Sequence, residues 1–205
     1  MTTFFLIRHA SCDGLGQTLW GRTPGICLNE KGKQEAERLA NGLNGTRFHA
    51  IYSSPLERAV ETAEAIARRM KLDVQKNHAI NEIEFGDWTG KSLEALSSDE
   101  RWHRFNSHRS MTVIPRGESF LDVQNRIVEE LGRLAEEHGD ARVAIVSHAD
   151  VIKAAVSYFV ATSIDLLQRL EIPPCSVSVI EMSRESSQLI EIKNQEQLSP
   201  ALVEL

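Results

Sequence analysis

The sequence predicts an α/β protein, a three-layer sandwich in which a mainly parallel sheet is flanked by helices. Short apolar runs alternate with longer amphipathic segments, a pattern typical of parallel strands joined by helical crossovers. The runs are continuously apolar, as strands buried on both faces require. The chain has 205 residues and shows no internal repeat, low-complexity stretch or linker. We therefore expect one domain spanning residues 1–205.

The first strand and helix are predicted within the first 43 residues. Residues 4–7 read Phe-Phe-Leu-Ile and stop at two polar residues, which indicates a buried strand. A loop rich in Gly and Pro follows, and residues 30–43 then predict an amphipathic helix. Its apolar residues share one face: Ala36, Leu39, Ala40 and Leu43.

The second strand, residues 50–53, leads directly into another helix. Ser54 is placed as the N-cap, Pro55 as the first helical residue and Glu57 as the partner in a capping box. This helix is expected to reach about residue 70. A further strand is expected over residues 72–75.

The second half continues the alternation after an irregular segment, about residues 77–116, in which short helices are expected near Leu93 and Trp102. The remaining elements are a helix over 118–138, a strand over 142–147, a helix from about 151, and a strand pair over 176–182 and 189–193. The apolar residues of the long helix are Phe120, Leu121, Val123, Ile127, Leu131 and Leu134.

Charge and composition restrict the classes of ligand and location. The net charge of −6 argues against general attraction to nucleic acid or anionic membranes. Three widely spaced cysteines favour neither a disulfide framework nor a four-cysteine zinc site. The N-terminus has no basic region before its apolar run, so neither a signal peptide nor a membrane span is expected and a cytoplasmic location is the default. The sequence leaves the oligomeric state open: the late strand pair and the tail over residues 195–205 could form a homo-oligomer interface or serve no such role.

Ionisable residues stand where predicted strands end. The first strand ends at Arg8 and His9, and the strand over 142–147 is followed by His148. Arg58 lies in the first turn of the helix after the second strand. Because ligands of open α/β sheets bind outside the carboxyl ends of the strands, these four residues can meet in one crevice.

Two arginines and two histidines together favour a phosphoryl ligand. Arginine offers a planar fork of donors that matches phosphate oxygens, and histidine can act as donor, base or nucleophile. The sequence has no nucleotide-binding GxxxxGK[ST] loop. Gly14-Leu15-Gly16 lacks the third glycine and the helix of a dinucleotide fingerprint. Two histidines and a carboxylate are also compatible with zinc, which remains open.

The ordered motifs resemble those of the histidine phosphatase superfamily, with its phosphoglycerate mutase-like fold. They extend from residue 8 to residue 148, most of the chain. The matching segments are Arg8-His9-Ala10, Ser53 to Ala59 with Thr62-Ala63, Asn81 to Trp88 with Gly90, Gly117-Glu118-Ser119 and Val146-Ser147-His148.

The resemblance implies a metal-independent phosphomonoesterase that acts on a small phosphorylated metabolite and needs no cofactor. His9 would form a phosphohistidine, and Arg8, Arg58 and His148 would hold the phosphoryl oxygens. Glu82 would protonate the leaving oxygen, then activate water. Glu84 is the alternative acid, but the family pattern, with the acid four residues before the glycine, selects Glu82.

Several positions depart from the family pattern and leave substrate choice open. Ala10 replaces a usual glycine, Leu15 a frequent phosphate-contacting asparagine, and Ala149-Asp150 a common glycine pair. Asp150 could tune the site locally or act at the surface or as a cap.

Basic residues outside these motifs are a second open point. Arg22 could extend the basic rim toward substrate. A basic cluster in the middle segment is interpreted as a solvated face, although substrate contact is open: Arg101, Arg104 and Arg109, with His103 and His108.

Two alternatives to a phosphatase remain. Phosphoglycerate-type mutases of the superfamily usually carry an insertion after the acidic segment, whereas here 30 residues separate Trp88 from Ser119. This short spacing favours a phosphatase. A non-catalytic phosphate-binding protein of the same fold is disfavoured because the set of candidate catalytic residues is complete.

Overall fold

The computed structural model describes residues 1–183 and 186–194. Within them the strands are β1 (Thr2–Arg8), β2 (Ala50–Ser53), β3 (Val74–Lys76), β4 (Arg142–Ser147), β5 (Val177–Met182) and β6 (Ser187–Lys193). The α-helices are α1 (Glu30–Gly42), α2 (Glu57–Met70), α3 (Leu93–Leu96), α4 (Glu100–Ser107), α5 (Phe120–His138) and α6 (Ala149–Phe159). Short 3-10 helices are His78–Ile80, Gly86–Trp88, Arg109–Met111 and Ile164–Arg169. The 195–205 tail lies outside the described residues.

The strands form one mixed sheet in the order β3-β2-β4-β1-β5-β6. β4 pairs in parallel with both β1 and β2, and β2 pairs in parallel with β3. The late strand pair adds the antiparallel side, because β5 runs antiparallel to β1 and β6 antiparallel to β5. The predicted α/β fold with a mainly parallel sheet is confirmed.

Side chains of β1 enter apolar clusters on opposite faces of the sheet. Phe4 and Leu6 pack in the cluster that contains the buried faces of α5 and α6. Phe5 and Ile7 pack in the cluster formed with α1 and α2. This three-layer arrangement explains why the run is continuously apolar, since each side chain leaves water whichever way it points.

The middle segment packs on the α5 side of the sheet. Trp88 and Phe105 are fully buried there, with ring centroids 5.5 Å apart. α3 and α4 begin at Leu93 and Glu100, which confirms the short helices expected near Leu93 and Trp102. No helix of the described residues is long and apolar enough to span a membrane.

Three local expectations were wrong. α2 begins at Glu57 with Leu56 as its N-cap, and no side chain caps it. The hydroxyl of Ser54 is used instead for a distant partner, the amide oxygen of Asn81 at 3.0 Å. Leu121, expected on the apolar face of the long helix, is 44% exposed. β3 begins at Val74, two residues later than expected.

Candidate active site

A cavity of about 190 Å³ opens beside the carboxyl ends of β1, β2 and β4. The strand pairing brings these ends together, because Arg8 is the partner of Ser147 and Ser53 is the partner of Val146. The next residues of β1 and β4 are His9 and His148, whose ring centroids lie 5.1 Å apart. Lining residues include Arg8, His9, Arg58 and Glu82.

The ring of His9 is held in one tautomer. It is 3% exposed, and its Nδ1 lies 2.7 Å from the carbonyl oxygen of Ala10. A carbonyl only accepts hydrogen bonds, so Nδ1 carries the proton and Nε2 keeps its lone pair. Burial, and then the positive charges of Arg58 and Arg8, hold the pKa of His9 well below 6.5. The imidazole is therefore neutral and nucleophilic at Nε2.

Arg58 joins the two histidines. Its Nε donates to Nε2 of His9 at 3.3 Å, and its Nη2 donates to the carbonyl of Gly21 at 2.8 Å. The same Nη2 lies 3.4 Å from Nδ1 of His148. Thr62 fixes the position of α2 relative to the end of β1, because its hydroxyl accepts a hydrogen bond from the Ala10 N–H and donates one to the Arg58 carbonyl.

The two cavity arginines retain unused donors. Nη1 of Arg8 donates to the carbonyl of Ile172 at 2.6 Å, but its buried Nε has no hydrogen-bond partner among the described residues. The buried Nη1 of Arg58 likewise lacks a partner within that part of the chain. Buried donors are usually satisfied, and an anion with several oxygens would complete both guanidinium groups.

His148 is fully buried and reaches the cavity through its neighbours. Its Nε2 lies 2.8 Å from Oγ of Ser54. Ser54 donates its hydroxyl proton to Oδ1 of Asn81, which also accepts the N–H of Glu82. Nε2 of His148 is thus the donor, and the lone pair of the neutral ring lies on Nδ1. Burial, followed by Arg58 and His9, holds its pKa well below 6.5.

Sequence reasoning missed the roles of Ser54 and Asn81. The sequence pattern predicts a helix cap for Ser54 and identifies Asn81 only as part of a motif. The available signal was the serine pair Ser53-Ser54, which begins at the last residue of an apolar strand. It could not identify the partner, which lies 27 positions away for Asn81 and 94 for His148.

Glu82 places its carboxylate at the cavity beside His148. Oε1 accepts the N–H of Ile83 at 2.9 Å, and Oε2 lies 3.6 Å from Nδ1 of His148. Burial, and then the negative charge of Asp150, raise the pKa of Glu82 to about 7, although Arg58 opposes this shift. The carboxyl can therefore exchange a proton near neutral pH.

Glu84 has a different environment. Its carboxylate pairs with Arg22 at 3.5 Å and is 41% exposed, and it does not line the cavity. Arg22 also donates to the carbonyl of Glu82 at 2.7 Å and to Glu118 at 3.0 Å. Arg22 thus braces the acidic segment rather than lining the cavity, contrary to the suggested basic rim.

The family follows from comparison with known proteins. A model described as the histidine phosphatase superfamily, branch 1, matches residues 4–195. The chain belongs to this superfamily. Phosphoserine phosphatase 1 of Hydrogenobacter thermophilus is 29% identical over 200 residues, which cover 94% of this chain and 92% of the relative. The resemblance predicted from the motifs is confirmed.

Two further similar proteins are a mutase and a phosphatase. A 2,3-bisphosphoglycerate-dependent phosphoglycerate mutase of Thermoplasma acidophilum is 31% identical over 184 residues, covering 89% of this chain and 88% of that protein. The structure of a phosphoserine phosphatase mutant from Entamoeba histolytica, in complex with phosphoserine, superposes with a TM-score of 0.86 at 26% identity. It covers 97% of this chain and 99% of that one. Membership of this superfamily and similarity to its phosphatases support the conclusion that the chain is a phosphatase.

The outer wall of the cavity is mainly apolar in this superfamily member. It includes three of the positions that depart from the family pattern, Leu15, Ala149 and Asp150. The apolar side chains of the wall are Leu15, Leu19, Trp20, Phe85 and Leu93. The wall therefore favours contact with the uncharged part of a ligand.

The basic residues of the middle segment stay outside the cavity wall. Arg101 pairs with Asp99 at 3.2 Å, and Arg104 is exposed. Arg109 is 4% exposed and pairs with Asp150 at 3.2 Å, so its interpretation as part of a solvated face was wrong. The rings of Phe105 and Phe120 cover its guanidinium group, so the side chain is buried.

The zinc alternative fits the arrangement poorly. Nε2 of His9 and Nδ1 of His148 both face the guanidinium of Arg58. A cation thus already occupies the space where the two imidazole lone pairs point, which disfavours a second cation between them. In the described part of the chain, no group of three or more His, Cys, Asp or Glu is placed to hold a metal ion.

Proposed function

We propose that this chain hydrolyses a small phosphate ester through a phosphohistidine formed on His9. The observation that carries this proposal is the state of the His9 ring, whose Nδ1–H is bound by the Ala10 carbonyl while Nε2 keeps its lone pair. The unused donors of Arg8 and Arg58 lie in the same cavity. A nucleophile beside two phosphate-matching cations is suited to phosphoryl transfer.

In the first step the phosphoryl group moves to the enzyme. Nε2 of His9 bonds to phosphorus as the ester P–O bond breaks, and the Glu82 carboxyl gives its proton to the leaving oxygen. Arg8 and Arg58 bind the phosphoryl oxygens from the cavity wall. His148 is proposed to reach these oxygens from behind the wall with Nδ1, which lies 3.4 Å from Nη2 of Arg58. A bound dianion raises the pKa of His148, so that Nδ1 can carry a proton and donate.

In the second step water removes the phosphoryl group. The Glu82 carboxylate accepts a proton from water as the oxygen attacks phosphorus and the bond to His9 breaks. Inorganic phosphate leaves, and both residues return to their starting protonation states. The two guanidinium groups supply the positive charge throughout, so we propose that no metal is required.

A cytoplasmic small metabolite is the proposed substrate, and residues 1–205 are proposed to form one domain.

Isomerisation of phosphoglycerate is the second candidate because a mutase is among the relatives. The short connection between Trp88 and Ser119 weighs against it. The regular elements of this connection are α3, α4 and one 3-10 helix. 3-Phosphoglycerate, given with its bisphosphate partner, should release inorganic phosphate or remain unchanged if the phosphatase proposal is right, and should isomerise if it is wrong.

The deciding experiment measures phosphate release from an aryl phosphate and a panel of alkyl phosphates with excess chelator. We expect undiminished turnover and a phosphoenzyme that is trapped by rapid denaturation. His9→Ala should lose both, whereas His103→Ala, which alters an exposed histidine, should keep both. Loss of turnover with chelator would refute metal independence. A trapped phosphoenzyme in His9→Ala would refute the assigned nucleophile.

A further inference from the structure

Asp150 presents a carboxylate of fixed position to the cavity. It is the second residue of α6, two residues after His148, and its side chain lines the cavity wall. Its Oδ1 accepts from Nη1 of Arg109 at 3.2 Å. Asp150 therefore contacts the same space as Glu82 but has a different neighbourhood.

Arg109 makes this position rigid. Its guanidinium carbon lies 4.6 Å from the ring centre of Phe105 and 4.8 Å from that of Phe120. Nη2 donates to Oδ1 of Asn106 at 3.3 Å. A stacked and buried guanidinium has little freedom, so the Asp150 carboxylate bound to it has little freedom as well.

The charges around Asp150 determine what it can offer a ligand. Arg109 and Lys153 lie near it without lining the cavity, and Arg8 faces it from β1. Neighbouring cations offset part of the charge of this carboxylate. Carboxylate oxygens accept hydrogen bonds, so a group that approaches them must supply a donor.

The remaining cavity wall offers no cation for a second anionic group. Among the described lining residues, Arg8 and Arg58 are the only cationic side chains. The proposed function uses both for the phosphoryl group being transferred. A carboxylate or second phosphate on the leaving group would therefore face the acidic side chains of Asp150 and Glu82 and the apolar wall, with no further cation to bind it.

We infer that Asp150 selects the leaving group: the enzyme prefers phosphate esters of small alcohols that carry a hydroxyl or ammonium donor, and disfavours those that carry a carboxylate or a second phosphate. This inference rests on the proposed phosphatase function. It identifies the substrate as a phosphorylated polyol or amino alcohol rather than a phosphorylated acid.

The test uses three esters of similar size. 2-Hydroxyethyl phosphate, 2-aminoethyl phosphate and carboxymethyl phosphate differ in a neutral donor, a cationic donor and an anionic acceptor. For the parent, kcat/KM should be about tenfold or more higher for the first two esters than for the third, the discrimination expected from one unmatched charged contact. Asp150→Asn should remove most of this difference, mainly by raising carboxymethyl phosphate turnover and lowering that of the aminoethyl ester.

Matched controls separate the possible failures. Asp13→Asn removes one negative charge from an exposed residue that does not line the cavity, and it should leave the ester ratios unchanged. If Asp150→Asn does not fold, as judged by thermal melting, Asp150→Ser supplies the same measurement. Unchanged ester ratios in the folded variant would overturn the inference while leaving the phosphatase proposal intact. Absence of phosphate release from these esters and from an aryl phosphate would instead overturn the proposed function.

Discussion

Nε of Arg58 donates a hydrogen bond to Nε2 of His9 at 3.3 Å. Because a guanidinium N–H only donates, this contact places the His9 lone pair on the atom that faces the arginine. An incoming phosphoryl group must bind the guanidinium and meet the lone pair in the same space. The contact thus couples anion binding to alignment of the proposed nucleophile.

Arg58→Lys should lower kcat/KM by about 10²–10³-fold, the loss typical of removing a donor that stabilises transition-state charge. Lysine keeps the positive charge but has no planar fork, so it cannot bind His9, Gly21 and a ligand together. Arg104→Lys changes an exposed arginine and should leave kcat/KM unchanged. Steady-state kinetics with an aryl phosphate measure both. Equal kcat/KM in Arg58→Lys and the parent would show that charge alone suffices.

Glu82→Gln should lower kcat/KM for alkyl phosphates by about 10²–10⁴-fold, the usual contribution of a general acid. The loss should be smaller for aryl phosphates, whose leaving oxygen needs less protonation. Glu84→Gln is the matched control because that carboxylate does not line the cavity, and its rates should equal those of the parent. An equal loss for alkyl and aryl esters in Glu82→Gln would contradict a role in protonating the leaving group.

The pH profile of kcat/KM should fall as pH rises above about 7, because Glu82, with its pKa raised to about 7, must be protonated for the first step. The groups that face Glu82 are Asp150, Arg58, Arg126 and His148. Initial rates over a pH series with an alkyl ester measure the effect. Glu82→Gln should lose this alkaline decline, and its persistence there would assign the decline to another group.

Glu82 should also affect folding stability. Its pKa in the folded protein is raised from 4.5 to about 7, so ionisation is disfavoured in the native state and stability is lost as pH rises through this window. Glu82→Gln should therefore raise the melting temperature above about pH 7 and change it little near pH 4.5. The gain in the free energy of unfolding should not exceed about 3 kcal/mol, since each pKa unit corresponds to about 1.4 kcal/mol. Glu84→Gln should show no such pH-dependent gain, and equal gains in both variants would contradict the assignment.

Two helical glycines should respond oppositely to alanine. A Cβ on Gly32 would lie 1.9 Å from the carbonyl oxygen of Ser11, whereas one on Gly132 would meet only the end of Met182, at 3.9 Å. Gly32→Ala should lower the free energy of unfolding by about 1–3 kcal/mol through overpacking. Gly132→Ala should raise it by about 0.5–1 kcal/mol through helix propensity. Denaturant unfolding compares them, and a neutral Gly32→Ala would show that the Ser11 loop yields easily.

Much of the fold was predictable because it depends on local patterns. The apolar runs that became β1, β2 and β4 are short and continuously apolar, and helix periodicity identified α1 and α5. Those patterns place Arg8, His9 and His148 at strand ends by chain order alone. The late strand pair was recognised as well, but its antiparallel pairing with β1 depends on sheet order, which no local pattern encodes.

Local sequence patterns and motifs are sufficient to predict the family, the layered fold and the residue types available for phosphoryl chemistry. Which atoms are in contact depends on the tertiary structure: the Ala10 carbonyl binds His9, Ser54 binds His148, and Arg109 binds Asp150. Strands and helices follow from the periodic burial of nearby residues. Hydrogen-bond partners and pKa values depend on burial and on groups brought together from distant parts of the chain. For this reason Ser54 binds Asn81 instead of capping a helix, and the pKa of Glu82 is raised to about 7.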